Sequence, residues 1–88
     1  MQDQDEDADE AFAHDRLIEA VENQLAAGDP PAAQATLNKL TLVGYPREES
    51  LELMAQVLAH AIGVMLESDS PFDRAAYEEA LRRLPELP

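Results

Sequence analysis

The most regular pattern of apolar residues lies between positions 51 and 66, in the stretch LELMAQVLAHAIGVML. Its apolar residues recur every three or four positions, which is the spacing of one face of a helix: Leu51, Met54, Leu58, Ile62 and Met65. A second apolar row lies on another face of the same helix and consists of Leu53, Val57 and Val64. A helix that is apolar around much of its girth needs neighbours on more than one side. The pattern therefore predicts a long central helix that the rest of the chain covers.

Three amphipathic segments flank this helix. The apolar spacing predicts helices over about 12–27, 31–43 and 71–83, and the long third helix over about 46–67. The residues expected to be buried in the three flanking helices are Leu17, Ile18, Val21 and Leu25; Ala33, Leu37, Leu40 and Val43; and Phe72, Ala76, Ala80 and Leu84, with Tyr77 and Leu81 alongside. No strand-like alternation is present, and the loops are short. The predicted fold is all-α, a compact antiparallel four-helix bundle with a long central third helix.

Glycine, proline and capping residues mark the ends of these helices. Gly28 is suited to the left-handed position that ends the first helix, and Gly44 ends the second. Asp29, followed by two prolines, is expected to cap the second helix at its N-terminus. Ser70-Pro71-Phe72-Asp73 has the form of a capping box, which predicts that the fourth helix begins with Ser70 as its N-cap.

The chain is short and strongly acidic. It has 88 residues, of which 19 are acidic and 6 are basic, so the formal net charge is −13. Six of the acidic residues lie in the first ten positions, with no basic residue among them. This composition predicts a disordered acidic tail over residues 1–10 and a single helical domain over residues 11–88. A surface of this charge repels phosphate backbones, so no nucleic-acid partner is expected. A basic protein partner, a divalent cation or a role in solubility alone fits the charge better.

Composition also indicates where the protein works. There is no cysteine, which excludes disulfides and cysteine metal sites. The N-terminal residues have no positively charged segment followed by an apolar run, so no secretory signal is expected. The apolar run of the third helix is interrupted by Gln56 and His60, and we expect it to be too short to span a membrane. Alanine is abundant and five of the six basic residues are arginine, which is typical of bacteria with GC-rich genes or of a salt-adapted organism. A soluble, cytoplasmic, bacterial protein is expected.

Two histidines and several glutamates are candidate metal ligands. Glu48, Glu49 and Glu52 lie at the start of the third helix, and positions 48 and 52 are one turn apart on the same face. A third ligand from the first helix would complete a divalent-metal site, so the predicted ligands are His14, Glu22, Glu48, Glu49, Glu52 and His60. The alternative is structural, because acidic residues at a helix start interact favourably with the helix dipole and histidines are common at the rim of a bundle. Both interpretations stay open.

A set of positions over most of the ordered chain resembles a group of small, uncharacterised bacterial helical domains. The shared positions are His14, Ile18, Glu22, Gln24, the Pro30-Pro31 turn, Leu37, Leu40, Gly44, Arg47 and Glu49. Glu48 and Glu52 stand where that pattern has histidines. Two alternatives follow: the carboxylates bind a harder metal such as Mg²⁺ or Mn²⁺, or the site is lost in this chain. The resemblance implies an all-helical fold and a place for a site, but no activity.

The function predicted from these patterns is that of a non-catalytic protein–protein interaction module. No serine or threonine lies in a nucleophile motif, and the Glu-x-x-His pair of di-iron bundles is absent. Because four short helices need not cover the third helix fully, a homodimer is one expected assembly. The alternative function is a divalent-metal or small-ligand site between helices 1 and 3, which requires His14 to lie beside the glutamates of the third helix. A helix-turn-helix transcription factor is a distant third, since no helix has a basic face.

Overall fold

The structure is a computed structural model that describes the backbone of residues 2–88 and the side chains of residues 13–88. It contains four helices: α1 (Gln2–Ala27), α2 (Pro31–Leu42), α3 (Arg47–Ser68) and α4 (Arg74–Arg83). No strand occurs among the residues whose backbone is described. The prediction of an all-α fold with a long third helix is therefore confirmed.

The third helix is the centre of the packing. α3 contacts each of the other three helices, and α2 also contacts α1 and α4. The core is built from the predicted apolar faces of the first three helices together with α4; its fully buried members are Val21, Ala33, Leu40, Met54, Leu81 and Leu84. Val43, expected in the core of the second helix, is instead the residue after α2 and is 59% exposed.

Two contacts define how α2 and α4 lie together. Arg74, at the start of α4, forms an ion pair with Asp29, which lies just before α2. Near the other end, the Lys39 ammonium donates a hydrogen bond of 2.7 Å to the carbonyl oxygen of Arg82. The starts of the two helices are thus adjacent, and so are their ends.

Glycine ends α1 and α2 as predicted. Gly28 (φ 68°) and Gly44 (φ 104°) both have left-handed backbone conformations. At each glycine, its own N–H and the next N–H bond back to carbonyls of the last helical turn, as in the Schellman motif. α3 ends in the same conformation without glycine, because Asp69 has a φ of 50°. The end of α3 is therefore a third left-handed cap.

Both predicted N-caps differ in the structure. Asp29 does not cap α2: a residue before proline is held in the extended region, so Pro30 (φ −76°, ψ 152°) takes the N-cap position and Pro31 begins the helix. Ser70 does not cap α4 either. Asp73 is the N-cap, and its Oδ1 accepts a hydrogen bond of 3.0 Å from the N–H of Ala76. The capping-box prediction was wrong because the last acidic residue of the motif is itself the cap.

This later start changes which face of α4 is buried. The prediction placed Phe72 and Ala76 in the core, but both are exposed. Leu84 is buried as predicted, and Tyr77 and Leu81 are buried with it; their spacing of four and three residues follows one helical face. Tyr77 and Leu81, which were predicted to lie beside the buried residues, are therefore part of the core.

The first helix begins earlier than its apolar pattern. α1 runs from Gln2, whereas the pattern predicted a helix from about Phe12. The side chains of residues 1–12 lie outside the described part of the chain. The expected disorder of residues 1–10 and the domain boundary at residue 11 therefore stay predictions.

The expectation that the third helix is too short to span a membrane was wrong, because by length and composition alone α3 would be able to cross one. It has 22 residues and a mean hydropathy of 1.2 in its most apolar window, of which 33% is buried inside the protein. The central helix of a soluble protein has the same character, so this property does not place the protein in either environment. The expected soluble and cytoplasmic location stays a prediction.

Candidate functional site

The structure brings together two of the six predicted ligands. His14 on α1 and Glu52 on α3 form a hydrogen bond of 2.9 Å between Nε2 and Oε1. Both side chains are about half exposed, at 43% and 50%. The prediction required α1 to run beside the first half of α3, and this contact meets that requirement.

The other four predicted ligands do not join this pair. Glu22, Glu48, Glu49 and His60 are exposed, and His60 lines a cleft between α3 and α4. Among residues 13–88, no three His, Asp or Glu side chains come together as a group able to hold a metal ion. The metal site therefore stays a prediction, with His14 and Glu52 as the two ligands that already touch.

A more extensive feature is the incomplete cover of α3. Its buried residues all lie between Ser50 and Leu58. Beyond them, Val64 is 48% exposed and Leu66 is 71% exposed. Helix length explains the difference: at about 1.5 Å per residue, the 22 residues of α3 extend well beyond the 12 of α2 and the 10 of α4. Ala61 and Ile62 still pack against the core as partly buried residues. We call residues 59–66, in which Val64 and Leu66 are exposed, the uncovered half of α3.

Two grooves flank the uncovered half of α3. The first is a cleft of about 240 Å³ against α4, whose apolar walls include Val57, Ala61, Val64, Met65 and Ala80. The second is a wider, shallower groove of about 490 Å³ against α1, which we call the α1/α3 groove. Its walls are Ala13, Leu17 and Ala20 on α1 and Ala59, Ile62, Gly63 and Leu66 on α3, with Arg16 and Leu58 beside them.

Tyr77 anchors α4 to α1 below the smaller cleft. Its hydroxyl donates a hydrogen bond of 2.7 Å to Oε1 of Gln24, and its ring meets that of Phe72 edge-on at 5.5 Å. Burial raises the pKa of the Tyr77 hydroxyl above its usual 10.0, and the bond to Gln24 opposes part of that rise. Sequence reasoning missed this contact, because a glutamine on an amphipathic helix gives no signal of its partner.

Charge is distributed unevenly among the helices. Among residues 13–88, whose side chains the structure describes, α1 holds three acidic residues and one basic residue and α3 holds four and one, so these two helices carry −5 of a net −7. The arginines of α4 are held in ion pairs at 3.0 to 3.6 Å with glutamates of the same helix. The described parts of α1 and α3 are therefore acidic, whereas α2 and α4 each carry +1.

Comparison of the chain with models of protein families, with curated proteins and with solved structures finds no match. The resemblance to small bacterial helical domains accordingly stays a prediction. The exposed apolar surface of α3 is the feature on which a functional proposal rests.

Proposed function

We propose that the protein is a non-catalytic interaction module that binds a protein partner through the uncovered half of α3. One observation carries this proposal: large apolar side chains remain exposed on the helix that otherwise forms the core. Exposed leucines and valines are common as single residues, but here Val64 and Leu66 lie beside two apolar grooves. A continuous apolar surface of this kind is typical of protein contact sites.

The energetics favour covering this surface. Removing apolar area from water stabilises a complex by about 25 cal/mol per Å². The side chains of the uncovered half lie on a helix whose first half is already held by the core, so little conformational entropy is lost when they are buried by a partner. A partner is therefore expected to gain affinity mainly from Leu66, Val64 and Ile62.

Site-specific photo-crosslinking in bacterial cells tests the proposal. A photoreactive amino acid placed at Leu66 or at Val64 is expected to give a discrete cross-linked product that mass spectrometry assigns to one protein. The same group at Ala35, which is exposed on α2, is the matched control and is expected to give none. If neither position of α3 yields a product beyond the control, the proposal is wrong.

A divalent-metal site is the second candidate function, favoured by the contact between His14 and Glu52. A metal ion would replace their hydrogen bond and take further ligands from nearby carboxylates or water. Titration with Zn²⁺, Mn²⁺ and Mg²⁺ while amide NMR signals are followed tests it. Shifts centred on these two residues, abolished in His14→Ala, would support the site, whereas equal shifts in the variant would exclude it.

A further inference from the structure

We propose that the smaller cleft, between α3 and α4, is a binding site for a small amphiphilic amine, a molecule with a compact apolar body and one ammonium group. This ligand class goes beyond the proposed protein contact and does not rest on it. Three properties of the cleft support it: the number of segments that line it, its volume, and the polar groups that it leaves without a partner.

Four separate segments of the chain line the cleft. α3 and α4 form its walls, and the loop between them adds Ser70 and Pro71. Pro88 lines the cleft as well, and the buried Tyr77 is part of its α4 wall. A groove between two helices is open along its length, whereas a depression lined by four segments encloses much of a small molecule's surface, as ligand pockets do.

The volume of the cleft suits a small molecule better than a helix. At about 240 Å³, it is larger than the roughly 150 Å³ that suffice for an apolar protein cavity to bind benzene. One turn of a helix, about 5.4 Å long and 10 Å wide, occupies about 400 Å³. The walls are mainly apolar, with Val57, Ala61 and Met65 on α3 and Ala80 on α4. An aromatic ring with a short side chain therefore fits this space.

Two polar groups of the lining have no partner within the described part of the chain. Asp73 accepts the N–H of Ala76 through Oδ1 at 3.0 Å, but its Oδ2 takes part in no hydrogen bond or ion pair there. The imidazole of His60 has none there either. Ser70, by contrast, is already hydrogen-bonded to Ser68 at 2.6 Å. A carboxylate oxygen and the bare nitrogen of a neutral imidazole are both acceptors, so a ligand group with several N–H donors, such as an ammonium, can satisfy them.

The charge of the lining favours a cation over an anion. Among the described residues, Asp73 is the carboxylate that lines the cleft, and no lysine or arginine does. The α1/α3 groove has the opposite character, because Arg16 is the charged residue in its lining. The net charge of −13 also attracts cations to the chain and repels anions. An amine is therefore expected to bind the smaller cleft, and a carboxylic acid of the same size to bind more weakly.

Titration of the purified full chain with phenethylamine, followed through the amide NMR signals of the protein, tests the inference. Three control probes separate the contributions: phenethyl alcohol keeps the apolar body without the charge, phenylacetate reverses the charge, and ethylamine keeps the charge without the ring. The salt concentration is held at about 0.15 M, so that long-range attraction is screened. We expect saturating shifts at His60, Val64 and Ala76 with a dissociation constant of about 0.1–1 mM. The control probes are expected to bind at least about fivefold more weakly.

Two pairs of variants test the cleft itself. Ala76→Leu fills it from an exposed residue of α4, and Ala75→Leu adds the same side chain at the neighbouring exposed residue, which does not line the cleft. Asp73→Asn removes the charge but keeps a good N-cap residue, and Glu49→Gln removes one charge at the start of α3. We expect Ala76→Leu to weaken phenethylamine binding at least about tenfold and Asp73→Asn to abolish its advantage over phenethyl alcohol. Ala75→Leu and Glu49→Gln should leave both affinities unchanged.

Three results would overturn the inference. Shifts that spread over the acidic residues, and that ethylamine reproduces, would mean cation attraction alone. Equal binding of phenethyl alcohol or phenylacetate to the wild type would exclude an amine as the ligand class. Equal phenethylamine affinity in Asp73→Asn and Glu49→Gln would exclude the cleft, and this comparison also decides if circular dichroism shows that Ala76→Leu is unfolded. Photo-crosslinking at Leu66, which lies outside the cleft, is independent of these results, so failure of the amine site is distinguishable from failure of the proposed protein contact.

Discussion

Replacing Gly63 with alanine should stabilise the protein. Gly63 lies in the interior of α3, where glycine costs about 0.5–1 kcal/mol relative to alanine because of the backbone entropy that it loses on folding. The added methyl group would meet no atom within 4 Å, so no steric cost offsets this gain. We expect the free energy of unfolding to rise by about 0.5–1 kcal/mol, which raises the melting temperature of a chain of this size by about 2–8 °C.

Gly44 provides a control with the opposite sign. Its methyl group would also meet no atom within 4 Å, but its φ of 104° lies in a region that residues with a Cβ rarely adopt. Gly44→Ala is therefore expected to destabilise the protein by about 1–2 kcal/mol. Because both substitutions add the same methyl group to open space, the difference between them isolates the backbone conformation.

Urea denaturation followed by circular dichroism measures both changes. The dependence of the unfolding free energy on urea should be the same for both variants, because neither alters the surface exposed on unfolding. A loss of stability in Gly63→Ala would mean that a group packs against this face of α3. That result would refute both the predicted stabilisation and the open wall of the α1/α3 groove.

Three further substitutions test the core, a helix end and an interhelical hydrogen bond. Thr36 is 2% exposed and its hydroxyl has no hydrogen-bond partner in the described part of the chain, so Thr36→Val should raise the unfolding free energy by about 1 kcal/mol. Thr41→Val, at an exposed residue whose hydroxyl bonds to a backbone carbonyl, should change it by less than about 0.5 kcal/mol in the same urea assay. Asp69→Gly should stabilise the end of α3 by about 1 kcal/mol, because glycine adopts a φ of 50° without strain and removes a negative charge from the helix C-terminus; unchanged or lower stability would contradict this reading of the cap. Tyr77→Phe should lower stability by about 1 kcal/mol near neutral pH by removing the hydrogen bond to Gln24. Burial raises the pKa of Tyr77 above 10.0, so the tyrosine of the unfolded chain ionises at lower pH than that of the folded protein. The wild type should therefore lose stability as the pH rises above 10, and its stability difference from Tyr77→Phe should shrink. A difference that stays constant up to pH 11 would contradict a raised pKa in the folded protein.

The parts of the fold that depend on local chemistry were predictable. Apolar spacing identified α3 and most of its buried residues, because burial on one helical face leaves a periodic trace in the sequence. Gly28 and Gly44 identified two helix ends, because the left-handed position is open to few other residues. Asp69 shows the limit of that rule: the same conformation is held there by a residue type that is also common in loops.

The first residue of α4, and with it the buried face, was not predictable from the Ser70-Pro71-Phe72-Asp73 motif. Ser70 and Asp73 are both good N-caps, and each would begin a helix with a different buried face. Tertiary packing decides between them, since starting at Asp73 places Tyr77, Leu81 and Leu84 against α2 and α3. A local signal that fits two registers needs information from the rest of the fold.

The candidate site was also predictable only in part. The sequence placed His14 and Glu52 on helices expected to be neighbours, and the two side chains touch. It did not reveal that His60 faces a different cleft or that Glu48 and Glu49 stay apart from the pair. Which face of one helix meets which face of another depends on crossing geometry, and apolar spacing alone does not define it.

The lengths of the neighbouring helices explain why part of α3 stays exposed. Its sequence is apolar over most of the helix, so it demands neighbours along its whole length, but α2 and α4 are roughly half as long and their starts and ends lie together. α4 borders the second half only across the smaller cleft, and Val64 and Leu66 stay exposed. α1 lies beside the second half but leaves a groove, because its facing residues at 13 and 20 are alanines. The apolar surface at Leu66 therefore follows from helix lengths and small side chains.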